Sequence, residues 1–132
     1  FKNTEGELMG CFGRPELSKQ FHPVNEICRN CEDNGAGEIV INQIDHEGTR
    51  KGFDINLMRD LNEELSIPLV ALGGCGAKEH ISELMKCTPI SGIACGTFFV
   101  YAQETKQVLL SYTSTSAWLK DNFKQFKAIY KK

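Results

Sequence analysis

The chain has 132 residues, 41% of them hydrophobic and 24% charged, which suits a packed core and excludes wholesale disorder. Fifteen basic and 17 acidic side chains leave a net charge of −2, so nucleic-acid binding is disfavoured as the main function. No apolar run approaches the roughly 20 residues needed to span a bilayer, and membrane insertion is not expected.

In chain order, residues 2–12 open with a turn-like Asn3-Thr4-Glu5-Gly6 and continue as Glu7-Leu8-Met9-Gly10-Cys11-Phe12, a candidate β-hairpin arm. Residues 23–34 have helical spacing, with Val24, Ile27, Cys28 and Cys31 facing inward. Residues 38–44 (EIVINQI) follow Gly35-Ala36-Gly37 and predict a strand. Residues 54–65 carry apolar side chains at 55, 57, 58, 61 and 65, one face of a helix with Asp54 as its N-cap. Residues 67–72 (IPLVAL) predict a second buried strand closed by Gly73-Gly74, and residues 77–86 a helix with Ile81, Leu84 and Met85 on one side. Residues 92–95 (GIAC) predict a third strand leading into Thr97-Phe98-Phe99. Residues 100–112 read as strand, polar turn and strand. Residues 116–130 read as an amphipathic helix on Trp118, Leu119, Phe123, Phe126 and Ile129, docked on the body or, alternatively, against a membrane surface or partner.

Strand and helix alternate three times, the pattern of an α/β fold with a parallel sheet. A full eight-stranded barrel takes roughly 250 residues. The expectation is therefore a small open sheet or the C-terminal half of a (β/α)8 barrel over residues 1–113, with a terminal helix over 114–132. Phe1 rather than Met opens the chain, so a processed product or a piece of a longer protein is expected. Six cysteines at 11, 28, 31, 75, 87 and 95 invite a disulfide reading. Their placement in helices and at strand ends argues instead for reduced thiols. Cys28-x-x-Cys31 lacks a second pair at zinc-ligand spacing, so no structural metal is expected.

Strand alternation puts Glu38, Val40, Asn42 and Ile44 on one face. Val40 and Ile44 are expected to be buried there, with Glu38 either at the solvent end of the strand or paired with a group outside this chain. Asn42, Asp45, Glu47, Gly48 and Thr49 gather where the strand ends, the edge at which β/α folds bind ligands. Two carboxylates two residues apart suit acid/base work or a plain solvated turn. Gly73-Gly74-Cys75-Gly76 and Gly96-Thr97 end the next two strands. Glycines and a hydroxyl on adjacent strand ends make a candidate phosphate cup.

Taken together, residues 35–54 (GAGEIVINQIDHEGTRKGFD), 71–80 (ALGGCGAKEH) and 92–99 (GIACGTFF) resemble the C-terminal half of the cyclase subunit of imidazole glycerol phosphate synthase. The resemblance runs from about Phe1 to about Tyr112. It implies a β/α barrel that takes ammonia from a glutaminase partner, closes an imidazole ring on a phosphorylated small-molecule substrate, needs no cofactor and works in the cytoplasm. It further implies that Glu38 belongs to the ammonia gate, that Asn42, Gln43, Asp45, Glu47 and Thr49 stand at the catalytic mouth, and that Gly73, Gly74, Gly96 and Thr97 cradle a substrate phosphate.

Some positions depart from that pattern. Glu47 stands where the family commonly has Asp, and Leu72 where it has Ser. The family's two catalytic aspartates end strands one and five; neither falls within this sequence, the second aligning just before Phe1. The chain is accordingly expected to be inactive alone and to pair with a missing N-terminal half-barrel or with itself. Residues 99–112 (FVYAQETKQVLLSY) look more like paralogues of surface-polysaccharide gene clusters, which implies an alternative role with a glutaminase and an amidotransferase in acetamidino-sugar synthesis. A non-catalytic phosphate- or partner-binding half-barrel is the remaining expectation.

Overall fold

In the computed structural model, residues 3–11 and 20–101 are described. Asn3 closes the first turn: its Oδ1 accepts from the Glu5 and Glu7 amides, and Gly6 takes a φ of +86°. The chain then enters β1 (Met9–Gly10), which pairs antiparallel with β2 (His22–Pro23). The expected arm is therefore present, but its partner strand lies 12 residues downstream in register, Gly10 opposite His22.

Pro23 leads directly into α1 (Val24–Asp33), with Cys28 buried on its inner face. Pro23 is the N-cap of this helix, still extended at φ −51° and ψ 133°. Three β/α steps follow: β3 (Ile39–Asn42), α2 (Ile55–Glu64), β4 (Leu69–Leu72), α3 (Lys78–Cys87), β5 (Gly92–Ala94) and a single helical turn α4 (Thr97–Val100). The sheet order is β3-β4-β5, all parallel, with Ile39 opposite Leu69 and Leu72 opposite Ala94. Helical crossovers are what parallel neighbours require. Asp54 caps α2 as expected, its Oδ1 accepting from the Leu57 amide at 3.1 Å.

The core lies between the helices and one face of the sheet. Ile39, Leu69 and Ala71 meet Met58 and Leu61 of α2, Leu84 of α3 and Cys28 of α1. All of these are residues whose burial removes large apolar areas from water, the main favourable term in folding. At the C-terminal end of α1, the Glu32 carboxylate accepts from both the Ser66 amide and the Ser66 hydroxyl, tying α1 to the turn before β4.

Two expectations are corrected. Val40 and Ile44 are not buried: they are 55% and 51% exposed. The helices cover the face carrying Ile39 and Ile41, and β3 ends at Asn42, so Ile44 already belongs to a 3-10 turn (Ile44–His46). Alternation defined the two faces correctly but not which one the helices cover. Thr97-Phe98-Phe99 does not extend the third strand; it winds into α4, with the Phe99 amide donating to the Gly96 carbonyl. Residues 102–112 of the expected 100–112 hairpin, the 116–130 helix and the 113/114 boundary lie outside the described residues, and Val100, the first hairpin residue, belongs to α4. Among the described residues, no helix is long and apolar enough to cross a membrane.

Candidate functional site

The C-terminal ends of β3, β4 and β5 lie side by side because the strands are parallel and in register. Beyond β3, Gln43 is buried and fully engaged. Its Oε1 accepts from the Asp54 amide at 3.0 Å and its Nε2 donates to the Asp54 carbonyl at 3.3 Å. Its own amide donates to the Leu72 carbonyl of β4. Gln43 is thus a strut that fixes both the end of β3 and the start of α2, rather than a side chain offered to a ligand.

Asn42 and Glu47 face each other across the loop, Asn42 Nδ2 donating to Glu47 Oε2 at 3.2 Å, both exposed. Asp45 is exposed on the first residues of the 3-10 turn. Thr49 Oγ1 donates to the His46 carbonyl at 2.7 Å and accepts from the Lys51 amide, so this hydroxyl closes its own loop. His46 was missing from the residues singled out in the sequence. Its Nδ1 lies 2.9 Å from the Gly52 carbonyl. A carbonyl can only accept, so Nδ1 carries a proton and donates it to Gly52. The only available sequence signal was its position between Asp45 and Glu47.

The loop after β4 owes its glycines to close packing. Gly73 and Gly74 have φ of +99° and +95°. A Cβ on Gly73 would lie 2.6 Å from the Gln43 carbonyl, and one on Gly74 would lie 2.1 Å from the Gly52 carbonyl. Gly74 O accepts from the Gly52 amide, so the β3 and β4 loops are stitched together at the site. Gly76 abuts Arg50, whose φ is +60° and whose guanidinium sits 5.8 Å from the centre of the Tyr101 ring. The Gly76 amide donates to His80 Nδ1 at 3.2 Å. Beyond β5, Gly96 is exposed with open space where a side chain would be, and Thr97 is half-buried.

A cleft of about 640 Å³ opens beside β3, lined by Met9 and Val24 together with Val40, Asn42, Asp45 and His46. The structure therefore separates the expected residues into two groups. Asn42, Gln43 and Asp45 line this cleft, whereas Gly73, Gly74, Gly96 and Thr97 belong to the neighbouring strand ends outside it. Glu38 stands at the opposite, N-terminal end of β3 and is exposed. Among the described residues no ion pair or side-chain hydrogen bond reaches it.

Residues 16–106 match the family model described as histidine biosynthesis protein. A Vibrio vulnificus protein provisionally named imidazole glycerol phosphate synthase subunit hisF3 is 33% identical over 115 residues, 87% of this chain and 44% of its own length. The Bacillus cereus imidazole glycerol phosphate synthase subunit HisF is 37% identical over 73 residues, 55% of this chain and 29% of its own length. The corresponding subunit of Leptospira biflexa is 36% identical over 85 residues, 61% of this chain and 33% of its own length. The chain thus spans less than half the length of these curated relatives.

Proposed function

The chain belongs to the histidine biosynthesis protein family, and on that premise we propose that it supplies the C-terminal half of a (β/α)8 barrel acting as an ammonia-dependent cyclase subunit of the imidazole glycerol phosphate synthase type. The observation that supports the reading is the in-register parallel trio β3-β4-β5, whose C-terminal ends lie side by side.

In this reading one phosphate of the substrate sits against the backbone N–H groups of Gly73, Gly74 and Gly96 and the hydroxyl of Thr97. The bare glycine backbone allows an anion to approach closely. Asn42, Asp45, Glu47 and Thr49 form the rim of the mouth, with Gln43 holding the rim in place from below. Asn42 restrains the Glu47 carboxylate, whose extra methylene relative to Asp brings it within reach of Asn42. Glu38, at the far end of β3, takes the place of an ammonia gate facing a glutaminase partner in the cytoplasm. The acid and base that close the ring come from strands outside this sequence.

The test is ammonia-dependent turnover of the 132-residue chain alone, against the same chain fused behind the N-terminal half of the Bacillus cereus subunit. The reading expects no turnover from the chain alone, turnover from the fusion, and a raised KM in the fusion carrying Thr97→Val. Turnover by the chain alone, or a folded but inactive fusion, would contradict it.

A further inference from the structure

His80 has no part in the function as proposed so far. It is the third residue of α3 and is half-buried. Its Nδ1 accepts from the Gly76 amide at 3.2 Å. A backbone N–H can only donate, so Nδ1 carries no proton and the ring proton sits on Nε2. The bond resembles the returning arm of a capping box, in which a side chain of the first helical turn reaches back to a backbone amide. Ala77, the N-cap of α3, makes no side-chain capping bond of its own.

The same ring lies beside the loop after β3. A Cβ on Gly52 would stand 3.6 Å from Cγ and Cδ2 of His80. Gly52 in turn donates its amide to the Gly74 carbonyl at 2.9 Å, while its carbonyl accepts from His46 Nδ1. Gly52, Gly74, Gly76 and His80 thus form a closed circuit of contacts. On its other side Gly76 is packed against the β3 loop, where a Cβ would lie 2.7 Å from the Arg50 Cα.

We propose that His80 is a positioning residue for the phosphate cup: its bond to Gly76 fixes the turn whose Gly73 and Gly74 amides face the anion. The inference rests on the phosphate reading above and deepens it. Gly73 and Gly74 have φ of +99° and +95°, and a glycine backbone has many other conformations open to it. The direction of these amides must therefore be set from outside. The Gly52 amide holds the Gly74 carbonyl, and His80 holds the Gly76 amide, so the turn is tied at both ends. Donors fixed in advance need no ordering when the ligand binds. Without His80 one tie is lost and the Gly76 amide has no acceptor in the circuit.

The experiment titrates inorganic phosphate into the isotope-labelled 132-residue chain and into its His80→Leu and His80→Asn variants, following backbone amides by NMR. Leucine fills space without an acceptor, whereas asparagine keeps an acceptor oxygen near the position of Nδ1. The wild-type amides of Gly73, Gly74, Gly96 and Thr97 should saturate together. Binding should be about tenfold weaker in His80→Leu and within about twofold of wild type in His80→Asn. Before phosphate is added, His80→Leu should move the Gly73 to Gly76 resonances and leave Gly96 and Thr97 in place, unlike a general loss of structure. A wild type whose four amides ignore phosphate would sink the phosphate reading and this inference with it. A folded His80→Leu that binds like the wild type, or a His80→Asn as weak as His80→Leu, would sink the inference alone. Should His80→Leu fail to fold, His80→Asn and a long-range proton–nitrogen spectrum of the wild-type imidazole decide. Near-wild-type binding by His80→Asn with the His80 proton on Nε2 supports the role, and weak binding or a proton on Nδ1 overturns it.

Discussion

Gly74 is the residue at which the β3 and β4 loops can least tolerate a side chain. Both its φ of +95° and the 2.1 Å approach of a would-be Cβ to the Gly52 carbonyl forbid alanine without displacing backbone. Gly74→Ala is expected to destabilise the chain by at least about 2 kcal/mol, read as a lowered urea midpoint. An unchanged midpoint would mean that the loops are not stitched as described. Thr88 presents the opposite case. It is 1% exposed, and its hydroxyl has no hydrogen-bond partner among the described residues. Thr88→Val should therefore stabilise the fold by about 1 kcal/mol by removing an unsatisfied buried polar group; a loss of stability would show that the hydroxyl has a partner. At Cys28 the buried thiol, pushed up to about 11, should be alkylated far more slowly at neutral pH than exposed Cys87. Equal rates by peptide mapping would contradict the burial.

Among the elements, the link between α1 and the turn before β4 gives a defined pH dependence. The Ser66 hydroxyl and amide hold the Glu32 carboxyl below the usual carboxylate range. A carboxylate depressed in the folded state adds stability above its unfolded pKa, and that contribution disappears as pH falls through the folded value. Ser66→Ala should raise the Glu32 pKa and flatten the acid limb of thermal stability relative to the wild type. Identical acid limbs would remove Ser66 as the cause. The three strands and three long helices were legible in the sequence because β-branched runs bounded by glycine alternate with helical apolar spacing. Asp54 was legible as an N-cap for the same local reason. The partner of β1 was not, because pairing Met9 with Pro23 is a non-local contact that no short window contains. Nor was α4: Thr, Phe, Phe and Val all favour strands, and only the turn at Gly96 redirects them. At the site, the glycines and carboxylates could be found by spacing. His46 and the internal role of Gln43 could not, since both depend on how the 43–54 loop closes on itself.

On the scale of the whole molecule, the sheet is covered by helices on one face, while Val40 on the other is 55% exposed. Among the described residues β3 and β5 each have a single strand neighbour, leaving unpaired edges of the kind that recruit other strands. The 132-residue chain is therefore expected to self-associate, with Val40→Thr shifting sedimentation toward the monomer; a concentration-independent monomer would show that the open face is covered. The central claim is that adjacent strand ends of this sheet hold a phosphate, and an amide-resolved NMR titration with inorganic phosphate tests it most directly. The account predicts that the amides of Gly73, Gly74, Gly96 and Thr97 shift together along one saturating curve. Shifts confined to lysine-bearing surface positions, with those four amides unmoved, would contradict it.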